Sequence, residues 1–260
     1  MTGKRKDIQW QRIPGWSLLL AALLMGCRGG DPRSGSPADR PSGGAVISEE
    51  STGDRTLSAT GGVSATSAHT PKGRQRIILL GTSLTAGLGL DPGVAYPALL
   101  QQKIDSAGLP FTLVNAGLSG ETSAGALRRA RWVLDQPAAL VVLEVGANDG
   151  LRGVDPDTTY ANLVAVIRTV HAVQPAAQVL LVQMEAPTNL GARYTARFHA
   201  AYTRAAQETK TPLLPFLLLG VAGDPRFNQA DGIHPNVVGS RRVAATMWGA
   251  LAPRLRALAR

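Results

Sequence analysis

Short runs of Val, Ile and Leu that alternate with longer amphipathic stretches constrain the fold of this chain most strongly. Runs that are apolar at almost every position indicate strands buried on both faces of a sheet. Strands that alternate with helices indicate an α/β fold, in which a parallel sheet carries helices on both sides. The predicted strands are residues 76–80, 112–115, 140–145, 178–183 and 212–216. The predicted helices lie near residues 96–107, 123–134, 158–173, 195–209 and 237–258.

Residues 1–27 are predicted to be an export signal and not part of the folded domain. Basic residues precede an apolar run, residues 16–25, that is too short to span a bilayer. The run ends at Leu24-Met25-Gly26-Cys27, which resembles the bacterial lipobox, where a signal peptidase cuts before a cysteine that then carries lipid. Cys27 is the only cysteine of the chain and cannot form an internal disulfide. We therefore expect lipidation of Cys27; the alternative is an ordinary cleaved signal.

Residues 28–75 are predicted to be a disordered linker, because Gly, Ser, Thr, Pro and Ala dominate them and large apolar residues are scarce. Residues 76–260 remain as one domain, which is long enough to bury a sizeable core. The net charge of the whole chain is +9, but much of it lies outside this domain. The basic residues of the domain are scattered and not interleaved with aromatic residues, which argues against nucleic-acid binding.

Two stretches about 150 residues apart pair a serine with a histidine and a carboxylate. Ser83 follows the first predicted strand at a glycine-rich turn, and Asp231 and His234 lie three residues apart near the end of the chain. A serine is a weak nucleophile and needs an adjacent base. Histidine is the usual base, and a carboxylate holds it in the required tautomer. These residue types therefore indicate nucleophilic catalysis.

The order Ser83, Asp231, His234 and the short Asp–His spacing resemble the SGNH (GDSL-type) hydrolase family. They do not fit the α/β-hydrolases, whose nucleophile lies in G-x-S-x-G. Residues 115–122 (NAGLSGET) resemble the second block of the family, and residues 144–150 (EVGANDG) resemble its third block. The runs GANDGLRG and DGIHPN are most similar to the thioesterase I / lysophospholipase L1 / arylesterase group. One departure is Thr82, where the family name implies aspartate.

The resemblance implies a three-layer, flavodoxin-like fold with a mostly parallel five-stranded sheet. It makes Ser83 the nucleophile, His234 the base and Asp231 the carboxylate that orients it. It assigns the oxyanion hole to the backbone N–H groups of Ser83 and Gly120 and to the side-chain amide of Asn148. The implied mechanism requires no metal and no cofactor.

The same resemblance implies that the substrate is a small-molecule or lipid ester or a thioester, such as an aryl ester, a lysophospholipid or an acyl thioester. We expect hydrolysis through an acyl-enzyme, by a monomer. With the lipobox, we expect an exported protein of the bacterial cell envelope, anchored by lipid to a membrane and facing the periplasm. A membrane and an ester substrate are thus the expected partners, and nucleic acid is not.

Each motif alone also has a plain structural explanation. Gly120 and Asn148 suit turns, Ser83 suits a helix cap, and His234 suits an exposed loop. Taken together they favour catalysis, because Ser83, Gly120 and Asn148 each follow a predicted strand and therefore converge on one rim of the sheet. Two alternatives stay open: a carbohydrate O-acetylesterase of the same fold, and a non-catalytic envelope lipoprotein that binds glycan or protein. The remaining histidines of the domain, His171 and His199, are predicted to be surface residues.

Overall fold

A computed structural model describes residues 73–260, and the predicted export signal, Cys27 and nearly all of the predicted linker lie outside these described residues. The strands are β1 (Gln75–Gly81), β2 (Phe111–Gly117), β3 (Leu140–Glu144), β4 (Gln178–Val182) and β5 (Leu213–Leu214). The helices are α1 (Ser83–Ala86), α2 (Tyr96–Ser106), α3 (Ser123–Val133), α4 (Ala147–Arg152), α5 (Pro156–Val173), α6 (Ala192–Thr209) and α7 (Val237–Leu258).

The five strands form one sheet in the order β2-β1-β3-β4-β5, and all neighbouring strands are parallel. This is the flavodoxin-like order, so the predicted fold class is confirmed. The direction of winding reverses between β1 and β3. In open α/β sheets the crevice beyond the carboxyl ends of the strands at such a point is the usual ligand site.

The helices pack in two groups that cover the sheet. Helix α2 packs against α7, whereas α5 packs against both α3 and α6. The apolar residues of β1 and β3 are fully buried, as expected of central strands covered on both faces. Among the helices of the described part of the chain, none is both long and apolar enough to cross a membrane.

The structure differs from the sequence prediction mainly at α4, where we expected only a loop or a turn. This helix has six residues and no apolar periodicity, and a glycine with positive φ stands at each end, Gly146 and Gly153. Helix α5 begins two residues earlier than predicted, because the Asp155 carboxylate caps it and Pro156 occupies its first position. The short helix α4 matters because it carries Asn148.

Candidate active site

Ser83 is the first residue of α1 and lies just beyond the carboxyl end of β1. Helix α1 is a single turn, which ends where Gly87 adopts the left-handed conformation. The N–H groups of Gly87 and Leu88 both donate to the carbonyl of Ser83, each at 3.0 Å. The serine is therefore held in a tight strand–helix turn beside β3, at the point where the sheet order reverses.

The loop that carries His234 is closed by hydrogen bonds at its base. Asn228 and Pro235 form an isolated antiparallel bridge, and the N–H of Gln229 donates to the carbonyl of His234 at 2.7 Å. The Gln229 side chain also donates to the carbonyl of Leu88, at 2.8 Å. The Asn236 side chain then caps α7 by accepting hydrogen bonds from the N–H groups of Val238 and Gly239. The loop is thus fixed both to α7 and to the turn that holds Ser83.

The predicted triad residues meet in the structure. His234 Nε2 lies 2.8 Å from Ser83 Oγ, and His234 Nδ1 lies 2.6 Å from Asp231 Oδ2. The other carboxylate oxygen of Asp231 accepts the N–H groups of Ile233 at 2.9 Å and His234 at 3.0 Å. Partial burial acts to raise the pKa of Asp231, but the hydrogen bonds from His234 and Ile233 outweigh it and hold the pKa below its usual value. Asp231 is therefore ionised at neutral pH.

The two further residues that we expect in an oxyanion hole lie on neighbouring segments. Gly120 has a φ of +76°, which favours glycine, and Arg152 donates to its carbonyl at 3.0 Å. Asn148, buried at the start of α4, donates one amide hydrogen to the carbonyl of Glu121 at 2.9 Å. A side-chain amide has two such hydrogens, so Asn148 retains one for a ligand.

Arg129 is a site-supporting residue that the motif analysis missed. From α3 its guanidinium donates to both carboxylate oxygens of Glu121, each at 2.6 Å, and to the carbonyl of Ala116 at 2.8 Å. A longer contact of 3.3 Å reaches the carbonyl of Gly81. Arg129 therefore ties the ends of β1 and β2 to the segment that holds Asn148. In the sequence, Arg129 and Glu121 are oppositely charged but eight residues apart. The helical pairing rule covers spacings of three and four residues, so it does not predict this pair.

Glu144 is a second residue that sequence reasoning did not identify as part of the site. It ends β3 and its carboxylate accepts hydrogen bonds from the turn around Ser83, through Thr82 and Thr85. Burial raises the pKa of Glu144 to about 7, although these donors act to lower it. Burial, with the nearby Glu144, also raises the pKa of Tyr96, whose hydroxyl contacts that of Thr85.

Asp149 follows Asn148, but its carboxylate contacts Ser123 and not His234. Its carboxylate accepts the N–H of Ser123, at 2.7 Å, and the Ser123 hydroxyl, so it fixes the start of α3 against α4. His171 and His199 are exposed, as predicted. His199 nevertheless lies 2.6 Å from the Glu185 carboxylate, a pair that the sequence did not indicate. Across residues 73–260 no cluster of His, Cys, Asp or Glu is arranged to hold a metal ion.

Comparisons with known proteins show which family this chain is similar to. A model of the GDSL-like lipase/acylhydrolase family matches residues 79–242. The chain is 41% identical to Esterase TesA of Pseudomonas aeruginosa over 182 residues, which is 70% of this chain and 90% of that protein. It is also 41% identical to Thioesterase 1/protease 1/lysophospholipase L1 of Escherichia coli K12 over 161 residues, covering 62% of this chain and 75% of the relative.

Solved structures show the same similarity. The psychrotrophic esterase EstA from Pseudoalteromonas sp., in a crystal structure inhibited by monoethylphosphonate, superposes with a TM-score of 0.66 at 34% identity. The superposition covers 70% of this chain and 99% of that chain. The family resemblance expected from the sequence motifs around Ser83, Gly120, Asn148 and His234 is thereby confirmed.

Proposed function

This chain belongs to the GDSL-like lipase/acylhydrolase family, and on that premise we propose that Ser83, His234 and Asp231 hydrolyse carboxylic esters through a covalent acyl-enzyme. The observation that carries the proposal is the continuous hydrogen-bonded chain from Ser83 Oγ through His234 to the Asp231 carboxylate. The family membership makes the protein an ester hydrolase. The assignment of each residue's role is our proposal.

In the proposed first step, Ser83 Oγ bonds to the ester carbonyl carbon while its proton passes to Nε2 of His234. Asp231 accepts the Nδ1–H hydrogen bond, which selects the tautomer with a free Nε2 and stabilises the imidazolium that forms. The tetrahedral intermediate collapses, the bond to the leaving group breaks, and His234 returns the proton to that group. Water then attacks the acyl-enzyme with His234 again as base, which frees the acid and restores Ser83.

The oxyanion of the intermediate needs hydrogen-bond donors that are already in place. We assign this role to the N–H groups of Ser83 and Gly120 and to the free amide hydrogen of Asn148. Arg152 on the carbonyl of Gly120 and Asn148 on the carbonyl of Glu121 hold this segment in position. Because these donors are fixed before substrate binds, they cost little reorganisation during the reaction.

Apolar side chains beside the site residues favour a substrate with an apolar acyl group. Leu88, Leu118, Leu151 and Ile233 are each between 38% and 49% exposed. Leu118 precedes Gly120 by two residues, Leu151 follows Asn148 by three, and Ile233 adjoins His234. Leu88 lines the same cleft as Ser83 and His234, and apolar side chains around a few polar groups are typical of ligand pockets. They support a lipid or aryl ester over the sugar acetate of an O-acetylesterase.

Export and anchoring remain part of the proposal. We infer that the chain is cut before Cys27, lipidated there and held at a membrane of the bacterial envelope, facing the periplasm. A linker of about 45 residues would span roughly 35–40 Å as a random coil, which leaves the domain free to reach lipid substrates. The protein would act as a monomer, since one chain supplies the whole triad. Incorporation of labelled palmitate by wild type but not by Cys27→Ser tests the anchor.

A series of nitrophenyl esters with acyl chains from acetate to dodecanoate tests the substrate class. We expect kcat/KM to rise from acetate to medium chains, and Leu151→Gln to weaken this preference because it removes apolar surface. Trp132→Gln is the matched control, because this exposed apolar side chain lies on α3, which carries no proposed catalytic residue. A sharp preference for acetate would instead favour an O-acetylesterase, and no turnover at all a non-catalytic lipoprotein.

A further inference from the structure

Glu144 is a buried carboxylate that none of the ion pairs found among residues 73–260 includes. Its exposed fraction is 1%. A buried carboxylate without a cation is costly unless hydrogen-bond donors surround it. Here the donors are neutral, and the segment that supplies them is the one that holds Ser83.

The donors to Glu144 flank Ser83 on both sides. The N–H of Thr82 donates to Oε2 at 2.9 Å, and the Thr82 hydroxyl donates to Oε1 at 2.9 Å. The hydroxyl of Thr85 donates to Oε2 at 2.7 Å. The carboxylate therefore joins the end of β3 to the residue before the serine and to Thr85, in the same helical turn as the serine.

The surroundings of this cluster leave it little freedom to move. Tyr96 OH lies 2.6 Å from Thr85 Oγ1, and when Glu144 is ionised the Thr85 hydroxyl donates to it and accepts from Tyr96. A Cβ at Gly81 would lie 2.1 Å from Thr85 Oγ1 and 2.7 Å from Glu144 Oε2. Only glycine at position 81 leaves space for the cluster, which accounts for the glycine of the Gly81-Thr82-Ser83 motif.

Threonine at position 82 has a specific consequence in this environment. The family name implies aspartate there, and a carboxylate in place of the Thr82 hydroxyl would face that of Glu144. Two carboxylates so close cannot both be ionised, so one would have to hold a proton. The Thr82 hydroxyl instead supplies a donor whose proton does not depend on pH near neutrality. With threonine at position 82 the cluster holds one carboxyl group, and the Thr82 hydroxyl can donate to Glu144 when it is ionised or accept from it when it is protonated.

We propose that Thr82 is a positioning residue, which uses its hydroxyl and N–H on the Glu144 carboxylate to hold Ser83 Oγ in line with His234 Nε2. The inference rests on the proposed function of Ser83 as nucleophile. It assigns Thr82 no contact with substrate. A small displacement of a nucleophile lowers kcat strongly, whereas it leaves the binding of the acyl group nearly unchanged.

The test compares two variants at position 82 with a control on β2. Thr82→Val keeps the shape but removes the hydroxyl, and Thr82→Ser keeps the hydroxyl. Thr112→Val is the matched control, because Thr112 has a buried hydroxyl oxygen with no hydrogen-bond partner. On a nitrophenyl ester we expect Thr82→Val to lower kcat on the order of tenfold with KM unchanged. Thr82→Ser should recover most of this loss, and Thr112→Val should match wild type.

Wild type, Ser83→Ala and the melting temperature of every variant are measured in parallel. A Thr82→Val protein with wild-type kcat, even one with a lower melting temperature, would show that the cluster only stabilises the fold. Failure of Thr82→Ser to restore kcat would equally overturn the role of the hydroxyl. Hydrolysis by Ser83→Ala at the wild-type rate would overturn the proposed function itself, and this result is independent of the comparison at position 82.

Discussion

His234 Nε2 lies 2.8 Å from Ser83 Oγ, although 151 residues separate the two in the chain. The contact exists because the loop after β5 is tied back to the segment that follows α1, where Gln229 donates to the carbonyl of Leu88. A base at hydrogen-bond distance from a serine and oriented by a carboxylate is the arrangement that activates serine as a nucleophile.

Replacement of Asp231 by Asn tests the orienting carboxylate. The substitution removes the charge that stabilises the imidazolium and can leave the ring in the wrong tautomer, so kcat should fall by about 10⁴. Asp224→Asn is the control, because Asp224 lies seven residues earlier and pairs with Arg226 on the surface. Steady-state kinetics on a nitrophenyl ester measure both, and near-wild-type turnover by Asp231→Asn would exclude the assignment.

Replacement of Asn148 by Ala tests the oxyanion hole. Loss of one donor to the developing oxyanion should lower kcat by about 10²–10³ with little change in KM, because the donor acts mainly in the transition state. Asn162→Ala is a suitable comparison, since its amide donates to Ser123 Oγ and has no proposed role in catalysis. If the two variants lost activity equally, Asn148 would be a packing residue.

Replacement of Arg129 tests how the site is supported. Arg129→Met leaves the buried carboxylate of Glu121 without its cation, and breaking a buried pair in this way should destabilise the fold by about 3–5 kcal/mol. Arg129→Met combined with Glu121→Gln should recover much of that loss. Arg168→Met, which breaks an exposed pair with Glu208, should cost at most about 1 kcal/mol. Denaturant unfolding gives all three values, and equal costs at positions 129 and 168 would refute this account.

The raised pKa of Glu144 predicts that the stability of the fold depends on pH. Its pKa is raised by burial from 4.5 to about 7, so between these values the folded protein keeps a proton that the unfolded chain has lost. The free energy of unfolding should therefore fall as pH rises through this window, by about 3 kcal/mol. Burial, with the charge of Glu144, raises the pKa values of Tyr96 and Tyr202, so both side chains stay neutral throughout.

Glu144→Gln is the matched variant for this measurement. The amide can keep an oxygen toward the Thr82 N–H and the Thr85 hydroxyl, and it does not titrate. Guanidinium unfolding between pH 4.5 and 8 should show wild type losing stability relative to Glu144→Gln as pH rises. Curves that stay parallel over the whole range would mean that Glu144 does not change its ionisation there.

The parts of the structure that the sequence predicted are those governed by local or periodic rules. Near-continuous apolar runs predicted the buried parallel strands, and Ser83, Gly120 and Asn148 were expected at strand ends because parallel strands share one carboxyl rim. Helix α4 was missed, because six residues between two glycines carry no periodic pattern. The role of Glu144 was missed because its partner Thr82 is 62 residues away and only the folded sheet brings them together. The role of Arg129 was missed because its partner Glu121, eight residues away, lies outside the helix that carries Arg129.

The most direct test of the central claim is to locate a covalent adduct after reaction with a fluorophosphonate, which reacts with activated serines. Peptide mapping by mass spectrometry should find one adduct per wild-type molecule, on Ser83. Ser83→Ala should carry none, and His234→Ala should react far more slowly because its serine lacks a base. An adduct on another residue, or equal labelling of wild type and Ser83→Ala, would contradict the account.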